Sequence, residues 1–129
     1  MILLLDTCAY LIATYQPELL PTKARRAILT ARVRYWSPVG TWEIAVKSAL
    51  GRFELPGEAF ASLDVGLAAL CVTHLPLTHA HAALVHELPS LHKDPFDRLL
   101  IAQALAEGLV VVTSDEMIPN YPGVTAIWG

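Results

Sequence analysis

The sequence predicts an α/β fold, a parallel central sheet flanked by helices on both faces, and three observations carry that expectation. The chain opens with an unbroken apolar run, Met1 to Leu5, that stops at Asp6-Thr7; other short β-branched or aromatic runs recur along it; and helical stretches separate them. A strand buried on both faces of a parallel sheet reads as a continuous apolar run rather than an alternation. Parallel neighbours need crossover connections, which intervening helices supply in right-handed form. At 129 residues the whole chain, 1–129, suits one domain with a core of ordinary size.

After the first run, Thr22 to Ala31 reads as a helix, Val33 to Trp36 as a strand and Pro38 to Leu50 as a helix. A helix over Glu58 to Ala69, a strand over Leu70 to Thr73 and a helix over Thr78 to Glu87 follow. Leu88 to Lys93, with Pro89, reads as an exposed loop. Pro95 to Glu107 is the best-marked helix: Asp94 suits the N-cap, Pro95 the N1 position, Asp97 the N3 position, and Gly108 the C-terminal stop. Strands over Leu109 to Val112 and Val124 to Trp128 complete the set, bounded like the others by Pro, Gly, Ser or Asp.

Hydrophobic residues make up 54% of the chain and mean hydropathy is +0.47. Such richness implies a large core or an apolar surface awaiting a partner, so a homodimer is expected. No apolar run reaches the roughly 18 to 20 residues of a membrane span, and MILLLD lacks a basic leader segment, so a cytoplasmic protein with no membrane contact is expected. Cys8 and Cys71 fall outside metal-ligand spacing and are expected to be reduced, buried thiols. Trp36 and Trp42, among apolar neighbours, are expected in the core.

The formal charge of −3 excludes a generally basic, DNA-coating protein. It conceals a division, because Lys23, Arg25, Arg26, Arg32 and Arg34 fall in one short stretch. Lys23, Arg25 and Arg26 suit either an RNA-backbone track or a solvated helix face. Without Asp6, Glu43, Asp97 and Asp115 the remaining formal charge is +1, compatible with a polyanion approaching a cation-filled site.

Those four acids are the candidate site. In an open α/β sheet the cleft lies outside the carboxyl ends of the strands, where the following helices also begin. Asp6 ends the first strand, Asp115 follows the Leu109 run, Asp97 lies in the first turn of its helix, and Glu43 lies early in the helix after Val33 to Trp36. Each also has a plainer explanation: Asp6 and Asp115 as turn or cap residues, Asp97 as a complement to the helix dipole, Glu43 as the i,i+4 partner of Lys47. Together those explanations require four like charges to gather at one rim without a cation, which repulsion disfavours. A carboxylate cluster without Cys ligands selects Mg²⁺ or Mn²⁺, ions that assist phosphodiester hydrolysis.

At these residues the sequence resembles the PIN-domain endoribonucleases, specifically the VapC-type toxins, over nearly the whole chain. The most specific segment is HKDPFDRLLIAQA, His92 to Ala104; LLLDT (Leu3 to Thr7), SPVGTWEIAVK (Ser37 to Lys47) and VVTSD (Val111 to Asp115) accompany it. The resemblance implies a PIN-like fold whose acidic quartet is Asp6, Glu43, Asp97 and Asp115. By it, Asp6 and Asp97 are the foremost metal ligands, Asp115 helps fix the ion, Glu43 positions or deprotonates water, and Asp94 is a supporting acid and cap. It further implies cleavage of structured RNA and inhibition by a cognate antitoxin. The chain departs from the family pattern at Gly40, which is expected to weaken its helix, and at Ser114, where relatives often carry Arg.

Other features carry less. Thr113 either orients Asp115 through its hydroxyl or simply suits a strand end. No three of His74, His79, His81, His86 and His92 have zinc-ligand spacing on one helical face, so they are expected to be surface or satisfied helix residues. A phosphatase or phospho-acceptor using Asp6 as nucleophile is disfavoured, because Asp6-Thr7-Cys8 lacks the second acid such sites place two residues on. A non-catalytic binding protein of the same fold would be expected to have lost acids, and none is lost.

Overall fold

The computed structural model describes residues 1–53 and 61–129. Its centre is β1 (Ile2–Leu5), hydrogen-bonded in parallel to β2 (Val33–Trp36) on one side and β4 (Val110–Val112) on the other. Beyond β2 lies β3 (Thr73–His74), and beyond β4 lies β5 (Thr125–Ile127); the order is β3-β2-β1-β4-β5, parallel throughout. The strand order therefore reverses at β1, which puts a cleft at its carboxyl end.

Alternate residues of β1 face opposite layers, as the two-residue period of a strand requires. Leu3 and Leu5 pack with Val112 beneath α1 (Thr7–Tyr15), α2 (Thr22–Thr30) and α4 (Leu63–Ala69). Leu4 and Val111 pack on the other face against α6 (Pro95–Glu107) and residues flanking α5 (His79–Leu84). Both faces are thus dry, which is why β1 reads as an unbroken apolar run. Between the layers, α3 (Pro38–Ala49) contributes Ile44 to the first core and Val39 to the second.

Several expectations need correction. Helix α1 gives no periodic signal, because TCAYLIATY is apolar nearly all round and eight of its nine residues, all but Cys8, are buried or half-buried. The strand expected over Leu70 to Thr73 begins three residues later, since Leu70 and Cys71 instead close α4, Cys71 in a left-handed conformation with φ 52°. The helix expected over Thr78 to Glu87 is α5 capped by Thr78, followed by a separate 3₁₀ turn over Val85–Glu87. Of the helix expected over Glu58 to Ala69, residues 58–60 lie outside the described residues.

Both cysteines are exposed rather than buried. Trp36 is in the core at 1% exposure, but Trp42 is 52% exposed, its ring edge-on to Phe96 at 4.6 Å. Gly40 has a packing reason: a Cβ there would lie 2.6 Å from Trp36 Cη2 and Cζ2. The indole fills the place that a side chain would need. Within the Leu88 to Lys93 loop, Leu88 is buried.

Candidate active site

Asp6 is placed by two local devices. Its amide donates to Val112 O at 3.2 Å, extending the β1–β4 ladder by one residue, and its Oδ1 accepts the Ala9 amide at 2.7 Å as the N-cap of α1. The plain capping role is therefore real, yet the carboxylate is also buried, at 4% exposure. Capping alone does not require that.

Glu43 lies in the second turn of α3, whose start Ser37 caps by accepting the Val39 amide at 3.1 Å. The expected i,i+4 pair forms between Lys47 Nζ and Glu43 Oε2, but it is not a surface pair: the Glu43 side chain is 5% exposed and that of Lys47 21%. Glu43 Oε1 is buried without a hydrogen-bond partner among the described residues. Lys47 also lies 3.6 Å from Asp94 Oδ2 and 5.7 Å from the Phe96 ring centroid, so it serves as a cation inside the acid cluster.

At the start of α6 the two acids of DPFD divide their work. Asp94 Oδ1 accepts the amides of Phe96 at 2.8 Å and Asp97 at 3.2 Å, which satisfies the helix end. Asp97 is thereby released from capping, and its Oδ2 lies 3.0 Å from His92 Nε2. The same nitrogen is 2.7 Å from Asp115 Oδ2. Ligand atoms of His92, Asp97 and Asp115 all lie within 4.8 Å of one another. Asp115 follows β4, its amide donating to Thr113 Oγ1 at 3.0 Å. Thr113 is buried and its side chain also bonds Asp6, so one hydroxyl ties the two acids together. His92, which its spacing suggests is a surface or satisfied helix residue, thus stands at the centre of the cluster.

The electrostatics agree with the geometry. Burial, then the charges of Glu43 and Asp115, push Asp6 up to about 6, against the lowering bonds from Thr113 and Ala9. Burial, then Asp94, Glu43 and Asp6, push Asp97 up to about 7, against a lowering contribution from His92. Loss of water and the field of Asp6, Glu43 and Asp97 push the Cys8 thiol up to about 12, although the residue keeps an exposed surface at the cleft mouth. Burial opposes the Lys47 ammonium, but the Glu43 bond and the charges of Asp94 and Asp97 outweigh it and hold its pKa above the ordinary lysine value.

Four carboxylates reach one another's fields, with Lys47 and His92 as their positive or proton-donating neighbours. A hard divalent cation fits this site: the acid donors are all oxygen, two carry raised pKa values, and Glu43 Oε1 is an unpartnered buried acceptor. The basic stretch is not drawn into the cluster. Arg25 donates to Pro17 O at 2.6 Å and Arg34 Nη2 to Leu29 O at 3.3 Å, while Lys23 and Arg26 line a groove of about 510 Å³ with Met1 and Ile127. His81 is a satisfied helix residue, its Nδ1 accepting the Thr78 amide at 3.1 Å and its Nε2 lying 2.9 Å from Glu107 Oε1.

The fold has counterparts among solved structures. A chain of VapBC2 from Rickettsia felis, bound to a DNA fragment from its promoter, is similar over 100% of both chains with TM-score 0.75 and 18% identity. A chain of DNA-bound VapBC from Salmonella typhimurium is similar over 98% of this chain and 97% of its own, with TM-score 0.67 and 19% identity. A chain of FitAcB from Neisseria gonorrhoeae follows, over 98% and 96%, with TM-score 0.64 and 21% identity. No curated protein matches the sequence. The PIN domain model matches residues 3–124, which take in β1 from Leu3 on, β2, β3, β4 and all four acids, and the chain belongs to the PIN domain family.

Proposed function

We propose that the chain is a Mg²⁺- or Mn²⁺-dependent endoribonuclease, one nuclease domain over residues 1–129, and the toxin component of a type II toxin–antitoxin pair acting in the cytoplasm. The observation that carries this reading is the convergence of Asp6, Glu43, Asp97 and Asp115 on one cleft with Asp6 and Asp97 held at raised pKa values. Family membership and the VapBC likeness support it.

In this reading Asp6, Asp97 and Asp115 hold the cation. A bound divalent ion supplies Lewis-acid stabilisation of the phosphoryl oxygens and lowers the pKa of water. Glu43, buried beside Lys47 with Oε1 free to accept, orients the attacking water and takes its proton. Water attacks phosphorus in line and the 3′-oxygen leaves, so the products carry a 5′-phosphate and a 3′-hydroxyl. Thr113 and Asp94 act as positioning residues, for Asp6 and Asp115 and for the helix carrying Asp97 respectively.

Purified protein incubated with total cellular RNA tests this directly, with Mg²⁺ or Mn²⁺ against chelator and with both ends of each product mapped. New ends bearing 5′-phosphate only in the presence of cation are expected. Ends bearing 2′,3′-cyclic phosphate overturn the mechanism, and intact RNA with avid partner binding favours a non-catalytic PIN-fold protein.

A cognate antitoxin and a second copy of the chain are the proposed protein partners. Large apolar side chains stand in solvent, among them Val65 at 72%, Leu29 at 70%, Leu50 at 62% and Trp42 at 52% exposure, where a partner can reach them. Light scattering at high concentration reads the dimer, and co-purification with the product of the neighbouring reading frame reads the antitoxin. Lys23, Arg25 and Arg26 remain proposed RNA contacts, readable as a reduced salt slope of RNA binding on substitution.

A further inference from the structure

His92 is held in place from three directions. Its amide donates to Tyr121 Oη at 2.8 Å, its Nδ1 accepts the Asp94 amide at 3.2 Å, and Arg98 pins the loop before it by donating to Pro89 O at 2.8 Å and to Tyr121 Oη at 3.2 Å. Tyr121 is itself buried, at 1% exposure. Because Nδ1 accepts, the ring proton resides on Nε2, where no lone pair is left for a metal. That N–H points at Asp115 Oδ2, 2.7 Å away, and Asp97 Oδ2, 3.0 Å away. One donor shared between two carboxylates does for them what a small cation does.

We propose that His92 is a built-in placeholder for the cation: its Nε2–H joins Asp97 to Asp115 in the ion-free chain and competes with a divalent ion for the same oxygens. The inference rests on the metal-dependent reading above. It assigns His92 a role opposite to that of a ligand, since a cation taking those oxygens must first displace the imidazole. The device keeps the emptied cleft folded at the expense of affinity for the ion.

Calorimetric titration of the full-length protein with Mn²⁺ decides the sign. His92→Ala is expected to bind Mn²⁺ about tenfold more tightly than the wild type, the worth of one hydrogen bond to a charged group. His92→Gln, whose amide can donate into the same place, is expected to stay within about threefold of the wild type on the same reasoning. Weaker binding by His92→Ala makes His92 a ligand, and unchanged binding makes it merely structural; either result overturns the inference while leaving the metal site standing. No binding by either the wild type or His92→Ala overturns both readings together.

The wild type supplies a measurement that needs no variant. In ¹⁵N-labelled protein titrated with Mg²⁺, the His92 ring is expected to keep its Nε2–H tautomer and to lose the downfield, hydrogen-bonded proton signal as the site fills. Loss of the Nε2 proton itself, or a ring spectrum unchanged at saturation, overturns the proposal.

Discussion

Lys47 Nζ is bonded to Glu43 Oε2 one turn back along α3, and this pair lies within the acid cluster rather than on the helix surface. The pair joins two functions that would ordinarily be separate. It satisfies one oxygen of a buried carboxylate, and it places one positive charge among Glu43, Asp94 and Asp97.

Lys47→Met is therefore expected to destabilise the ion-free protein by about 1 to 3 kcal/mol, the cost of leaving a buried polar partner unsatisfied. In Mn²⁺ the loss should shrink, because the cation restores positive charge to the same cleft. Urea unfolding in chelator and in Mn²⁺ reads both numbers. An equal loss in the two conditions would mean that Lys47 contributes only packing on Phe53 and Phe96.

Asp97→Asn is expected to abolish cleavage yet raise the melting temperature in chelator by a few degrees, roughly 1 kcal/mol for a chain of this size. Asp94 already caps α6, so the substitution removes repulsion without uncapping the helix. Wild type should gain stability on adding Mn²⁺ and the variant much less. Equal metal responses, with the variant less stable throughout, would reduce Asp97 to a dipole-complementing residue.

The pH dependence has a defined sign. Folding raises Asp6 from 3.8 to about 6 and Asp97 from 3.8 to about 7, so between about 4 and 7 the native state holds more protons than the unfolded chain. The contribution of these groups to ion-free stability is full below pH 4 and is lost as pH rises through 6 and 7. Since protons and cation compete for the same oxygens, Mn²⁺ affinity should instead climb over that range and level off above about 7. Chemical unfolding in chelator and Mn²⁺ binding, both followed from pH 5 to 8, check the two opposed trends. Mn²⁺ affinity that is flat over this range would mean these carboxylates do not bind the ion.

Gly40→Ala is expected to cost about 1 to 3 kcal/mol, the usual penalty of overpacking. Helix propensity alone predicts a gain of about 1 kcal/mol. The new Cβ meets the indole of Trp36, which is buried and packed at a tilt against the Tyr10 ring, 4.9 Å between centroids, and has no room to retreat. Equilibrium unfolding of the variant distinguishes the two signs.

The sequence by itself determined the sheet, the register of α6 and the rim on which four acids gather. These depend on short-range rules: apolar runs mark strands buried on both faces, Asp94, Pro95 and Gly108 mark helix ends, and a parallel sheet sends acids after strands to one edge. Where the local signal is weak, sequence and structure differ: α1 is apolar nearly all round, and β3 is displaced by the turn at Cys71.

Only the tertiary structure decided what each charged group does there. Asp97 could cap or face the cleft with equal ease in sequence; the choice follows from Asp94 taking both amides and from His92, 23 residues before Asp115, arriving beside it. His92 is steered by Tyr121 and Arg98, contacts without periodicity or spacing that a linear pattern could reveal. Lys47 looks like a solvated helix residue until α6 covers it. A side chain's charge is written in the sequence, but its desolvation and its neighbours' charges are set by long-range packing, and these determine whether a carboxylate decorates a surface or builds a site.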